Sequence, residues 1–351
     1  MSKVALVETL QLRSNSVVVY KKKVSYAPVR KLANLNLKCN FKGAKTYSGN
    51  VTFHAQKRIR TAVQILNQTS TWKKVLNPTS NSMIDYRLVF ITLTLSCKEK
   101  IDDRDAYRKC LKPMLRWMKD KLDVNSYIWK AELQQRGQIH YHITCNQFVY
   151  WKTIRDQWNK LQKKAGYLDA FEKKYGHCNA NSTDVHKVRN DGDIACYMEK
   201  YIAKAGKGGK VLGKVWDCSV NLKGKRLFET QFTPAHKRNI LSIAEDEFKD
   251  IIYNAYFDVI KFKKDIGAYK ILDGYEHQLY EEWKKTVILD TKKKLCPHQS
   301  HASAALSAKK DTLKKILSKS RSLAGRMFDS STPVVPASQR RLNVMNGHIA
   351  C

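Results

Sequence analysis

Two short stretches, SYIWKAELQ (126–134) and QIHYHITC (138–145), are separated only by Gln135, Arg136 and Gly137. A three-residue loop ending on glycine closes an antiparallel hairpin, because glycine accepts the left-handed conformation needed at its last position. Closing the loop this way sets Gln134 opposite Gln138, hence Glu132 opposite His140 and Lys130 opposite His142. With a side-chain period of two, Glu132, His140 and His142 share one face, while Trp129, Ala131, Leu133, Ile139, Tyr141 and Ile143 fill the other. Facing Cβ atoms in such a pair lie ~5 Å apart, close enough for two imidazoles and a carboxylate to hold one divalent cation. The competing reading is a polar, water-facing sheet surface.

The segments around this hairpin extend it into a domain. RLVFITLTLS (87–96) alternates as a strand, with Thr92, Thr94 and Ser96 on one face and Ile91, Leu93 and Leu95 on the other. DDRDAYRKCLKPMLRWMKDKL (102–122) reads as a helix opening on aspartates, which suit the positive end of its dipole. WKTIRDQWNKLQKKAG (151–166) is a helix ending at glycine, STDVHKV (182–188) a strand, and DGDIACYMEKYIAKAG (191–206) another helix. The order strand, helix, strand, strand, helix, strand, helix predicts an α+β fold with helices packed against a sheet.

Upstream, residues 1–85 form a basic N-terminal extension in which Ile59, Val63 and Leu66 recur at helical spacing behind a basic face. That helix is expected to pack on the main domain and show charge to a phosphate backbone. Residues 86–290 form the main domain, with strand-like VWDCSV and RLFETQF and helix-like YEHQLYEEWKKTV as its C-terminal elaboration. Residues 291–351, rich in Lys, Ser, Ala and His, read as a disordered basic tail.

Charge narrows the partner. Lys and Arg number 65 against 31 Asp and Glu, a net +34, which points to a polyanion, nucleic acid before membrane. No apolar run approaches the ~20 residues of a bilayer span, and the N-terminus lacks a signal-peptide pattern, so a cytoplasmic location is expected. The nine scattered cysteines, without a CxxC pair, fit free and mostly buried thiols in a reducing compartment.

A second constellation sits on the 191–206 helix. Tyr197 and Tyr201 are four residues apart, each followed three residues later by a lysine, Lys200 and Lys204, so both phenols can point at one place. A tyrosine stripe in the core is the alternative. A phenol of pKa ~10 needs help to act as a nucleophile near neutrality. A metal that polarises a phosphate, with lysines to neutralise developing charge, is that help.

On these residues the chain resembles rolling-circle replication initiators of the HUH endonuclease superfamily, of the two-tyrosine type found in small single-stranded DNA phages and some plasmids. FITLTLS resembles the family's first motif, ELQQRGQIHYH its second and YMEKYIAK its third, in the family's order over roughly residues 85–220. The resemblance implies a central antiparallel sheet with the His-apolar-His strand near its middle and the tyrosine helix across the metal face. It implies Mg²⁺ or Mn²⁺ held by His140, His142 and Glu132, with Gln134 a lesser candidate ligand. It further implies attack by Tyr197 or Tyr201 on single-stranded origin DNA, giving a 5′-phosphotyrosine and a free 3′-OH, the other tyrosine serving the closing cleavage. GKGGKVLGKV lacks the spacing and the Ser or Thr of a phosphate-binding GxxxxGK[ST] loop, so a host helicase and polymerase are the expected partners.

Two rival functions remain at this level: a relaxase or transposase with the same chemistry, and a basic nucleic-acid-binding protein without catalysis. Cys296, His298 and His301 in CPHQSH lack a matching second ligand pair, and His177 beside Cys178 is isolated. Both are expected to be ordinary surface residues.

Overall fold

The computed structural model describes residues 4–25, 51–78, 80–97, 99–188, 210–263 and 267–289. In chain order the elements begin with strands β1 (Val4–Leu12) and β2 (Ser16–Ser25), helix α1 (Phe53–Thr69), the small hairpin β3 (Lys73–Asn77) and β4 (Ser82–Tyr86), and β5 (Val89–Thr94). Helices α2 (Asp103–Ala106) and α3 (Lys112–Leu122) precede strands β6 (Tyr127–Leu133) and β7 (Ile139–Cys145). Then come helices α4 (Trp151–Lys164) and α5 (Asp169–Tyr175), and strands β8 (Thr183–Lys187), β9 (Trp216–Cys218) and β10 (Glu229–Gln231). Helix α6 (Pro234–Leu241), strands β11 (Phe248–Tyr253) and β12 (Phe257–Phe262), and helix α7 (Gly274–Leu289) complete the described chain.

The central sheet is antiparallel in the order β8-β5-β7-β6-β9, with β7 in the middle. One face is fully apolar. Ile91, Leu93, Trp129, Ala131, Tyr141 and Ile143 pack there against Met114 and Met118 of α3 and Ile154 and Trp158 of α4. The alternation expected of β5, β6 and β7 is thus the one found.

The opposite face is divided. Its lower half is covered by α1, whose Ile59, Val63 and Leu66 meet Phe90, Ile128 and Cys218, while Lys57, Arg58 and Arg60 on the same helix are exposed. Thr52 caps α1 at its start by accepting from the Ala55 N–H at 3.2 Å. At its end the buried Arg87 guanidinium donates to the carbonyls of Ser70 (3.1 Å) and Asn67 (2.8 Å), where a cation suits the negative end of the helix. The upper half of this face stays polar and holds Glu132, His140 and His142.

The helix expected over 102–122 opens as read, with the Asp102 side chain accepting from the N–H groups of Arg104 and Asp105. It is not regular throughout: Tyr107–Leu111 form a π-helical turn between α2 and α3. Pro113 follows immediately in the first turn of α3. Proline lacks the N–H that would close the preceding turn, and a π turn absorbs the mismatch.

A second sheet, which the sequence reading did not contain, has the order β10-β1-β2-β12-β11. It pairs the first residues of the chain with those near its C-terminal elaboration: Thr9 faces Gln231, and Val18 faces Val259. Leu10, Val17, Phe228, Ile240, Phe262 and Tyr280 form its core. Helix α1 ties it to the central sheet, since Gln64 accepts from the Ser14 N–H (2.9 Å) and Gln68 donates to the Leu12 carbonyl (3.1 Å).

Candidate metal centre

The β6–β7 turn closes as its sequence requires. The Gly137 N–H donates to the Gln134 carbonyl and the Gln134 N–H to the Gln138 carbonyl, both at 2.8 Å, and Gly137 has φ +78°. Glu132 faces His140 and Lys130 faces His142. The turn is braced from outside: Arg136 donates through Nη2 to the Leu95 carbonyl (2.8 Å), and Gln138 accepts from the Ile101 N–H (3.2 Å).

Glu132 Oε2 lies 3.7 Å from His140 Nε2 and 3.5 Å from His142 Nε2, and the two imidazoles are edge-to-face with centroids 4.5 Å apart. Among the described residues these three form the one group of His, Cys, Asp or Glu whose donor atoms converge, all within 4.8 Å of one another. Octahedral donors ~2.1 Å from a small dication are separated by about 3.0 Å when adjacent and about 4.2 Å when opposed, so the set fits such a cation. Two imidazoles and a carboxylate also match the donor chemistry of a divalent metal left open to substrate.

The electrostatics favour ligands ready to bind. Burial would raise the Glu132 pKa, but hydrogen bonds from His140, His142 and Lys130, with the Lys130 charge, outweigh it and hold the carboxylate ionised far below the usual range. Burial pushes the His142 pKa down, against the pull of Glu132 and with help from His140 and Lys130. Its imidazole is therefore neutral, as ligation needs.

Several surrounding residues had no assigned role in the sequence reading. Thr92 Oγ1 lies 3.1 Å from His142 Nδ1, and Phe90 stacks on the same ring at 5.2 Å. Phe90 also meets His186 of β8 at 5.3 Å. Lys130 Nζ donates to Glu132 Oε1 at 2.5 Å, and its neighbour across β9 is Trp216, over which Arg58 lies at 5.4 Å. The strand alternation of β5 marks Phe90 and Thr92 as facing the histidines. What sequence could not supply was that β5 is the strand beside β7. The amide of Gln134 lies 3.5 Å from His140 Nδ1, on the ring edge away from Glu132, and accepts from Arg136 Nε at 2.9 Å, so Gln134 supports His140 from behind.

Tyr197, Tyr201, Lys200 and Lys204 lie outside the described residues, as do Cys296, His298, His301 and the 291–351 tail. Among the described cysteines, Cys110, Cys145 and Cys218 are buried and free, and Cys97 and Cys178 are half-buried. His177 is exposed, accepting from the Asn179 N–H at 3.2 Å. No helix of the described residues is long and apolar enough to cross a membrane.

Residues 88–206 match the family model for replication-associated proteins of the ORF2 type. Through this segment the chain belongs to that replication-associated protein family. The matched residues run from the start of β5 past β8 and include the whole converging cluster. No curated protein and no solved structure matches the chain. The replication-associated role and the donor cluster thus fall on the same segment.

Proposed function

We propose that the protein initiates rolling-circle DNA replication, nicking and rejoining single-stranded origin DNA through a 5′-phosphotyrosine on Tyr197 or Tyr201. The observation that carries this reading is the convergence of Glu132, His140 and His142 on the middle of a sheet that lies within a replication-associated segment. A divalent cation bound there, Mg²⁺ or Mn²⁺, supplies Lewis-acid polarisation of a phosphate. The tyrosine Oη forms the new bond to phosphorus, the bond to the 3′-oxygen breaks, and that oxygen leaves as a 3′-OH able to prime synthesis. Lys200 and Lys204 offset charge on the phosphoryl oxygens. The second tyrosine repeats the cleavage after one circuit, and the released 3′-OH attacks the first linkage to close a circle. Unwinding and synthesis fall to a host helicase and polymerase, and the basic N-terminal helix and C-terminal tail hold the DNA backbone.

Chain connectivity supports this assignment. Residues 189–209 join β8 to β9, the two outer strands of the central sheet, which run parallel with three strands between them. Parallel crossovers are right-handed in nearly all proteins. Thr94, on the face of the histidines, donates its N–H to Ser182 on the β8 side, which fixes the hand of the sheet: seen from that face with β8 and β9 pointing up, β9 is to the right. A right-handed crossover between them passes over the face of Glu132, His140 and His142, and α3 and α4 already fill the other. The family match favours replication over conjugative transfer or transposition.

The test is peptide mapping of the adduct formed with an origin oligonucleotide and Mn²⁺. Tyr197→Phe and Tyr201→Phe should each keep some cleavage and lose joining, the double variant should form no adduct, and His142→Ala should abolish adduct formation. Labelling of one tyrosine only, with all activity lost on its substitution, would refute the paired mechanism. An adduct formed equally well in chelator would refute the metal requirement.

A further inference from the structure

We infer that Lys130 cancels the charge of Glu132 and so makes the affinity of the metal centre for a divalent cation conditional on the phosphate of bound DNA. This deepens, and rests on, the metal-dependent nicking proposed above. Lys130 and Glu132 are two residues apart on β6 and share the site face. The Lys130 ammonium holds Oε1 of Glu132 at 2.5 Å, and Oε2 is the oxygen turned toward both histidines. The carboxylate is divided between an internal cation and the metal position. With its side chain only 8% exposed, and Trp216 across the strand pair, Lys130 has no open route by which to leave Glu132 for water.

The charge balance follows directly. Imidazoles ligate as neutral bases, so the fixed charges of the cluster are Glu132 at −1 and Lys130 at +1. A dication entering the free protein would bring +2 into a site with no net negative charge, beside a poorly screened ammonium. At the dielectric of a part-buried site that repulsion is many times thermal energy before ligation offsets it. The phosphodiester of bound DNA supplies the missing negative charge. Linkage then requires that DNA raise cation affinity and the cation raise DNA affinity by the same factor. The centre is fully assembled only when its substrate is present, which keeps a reactive metal site weak in the free initiator.

The experiment is a Mn²⁺ titration of the full chain followed by electron paramagnetic resonance, with and without a single-stranded oligonucleotide. Wild type should bind Mn²⁺ about tenfold or more tightly with the oligonucleotide, within the usual span of coupling between sites. Lys130→Met keeps the unbranched apolar stem and removes the charge. Without DNA it should bind Mn²⁺ about tenfold more tightly than wild type, and it should gain less from DNA. Should its circular dichroism show that Lys130→Met does not fold, Lys130→Gln makes the same comparison. Equal or weaker Mn²⁺ binding by the neutral variant without DNA overturns the inference and leaves the metal centre standing. Absence of saturable Mn²⁺ binding by wild type in both conditions overturns the metal centre as well.

Discussion

Thr92→Val isolates the contribution of one hydrogen bond to the metal centre. His142 aims Nε2 at Glu132 and Nδ1 at Thr92 Oγ1, 3.1 Å away. If Nε2 ligates, the ring proton must sit on Nδ1, and Thr92 is then its acceptor. Valine keeps the branched shape and the strand preference and removes only the hydroxyl. The ring stays in place, because Phe90 stacks on it and the strand pairing holds its backbone. In the cation-free protein the loss is partly avoidable: the ring can move its proton to Nε2 and donate to Glu132 at 3.5 Å. Folding stability should therefore fall by only about 0.5–1.5 kcal/mol, the net value of an ordinary hydrogen bond. The metal-bound state has no such escape, since its Nδ1–H is then buried without a partner. Loss of such a supporting bond typically costs 10–100-fold in metal affinity, or about 1.4–2.8 kcal/mol. Mn²⁺ titration reads the affinity and urea unfolding reads the stability. Thr92→Ser, which keeps the hydroxyl, should behave as wild type in both. A valine variant whose Mn²⁺ affinity stays within about twofold of wild type, or a serine variant as weak as valine, would refute the assignment of Nε2 as the ligand atom.

Two further outcomes are expected. Glu276 accepts from His236 Nε2 (2.5 Å) and Thr230 Oγ1 (2.6 Å); burial would raise its pKa, but these bonds and His236 hold it below the ordinary carboxylate value. The unfolded chain therefore takes up the proton first as pH falls, so this stabilisation is complete above the unfolded pKa of ~4.3 and is lost below it. Glu276→Gln should lower the urea midpoint at pH 7 and flatten the decline of stability below about pH 5, and an unchanged acid slope would count against the pair. The excess of 65 basic over 31 acidic residues predicts that affinity for single-stranded DNA falls steeply and log-linearly with salt, as each neutralised phosphate releases counterions. Fluorescence anisotropy between about 50 and 200 mM salt measures the slope, and a flat response would reject electrostatic binding.

The hairpin that builds the metal centre was legible in the sequence because everything that sets it is local. Gly137 closes a three-residue loop, and the period of two then places Glu132, His140 and His142 on one face without reference to any other part of the chain. Helix α1 was legible for the same reason, its buried stripe being a pattern within one element. The second sheet was not. β2 reads as three valines followed by three lysines rather than an alternation, and its partner β12 lies more than two hundred residues away, so no local signal paired them. The same limit applied around the site. Thr92, Phe90 and Lys130 are ordinary strand residues in the sequence, and their roles exist because tertiary folding placed β5 against β7 and turned Lys130 toward one oxygen of Glu132. Local geometry determines which side chains of a hairpin share a face, whereas the neighbours that orient and charge-balance them depend on strand order, which only the packing of distant segments decides.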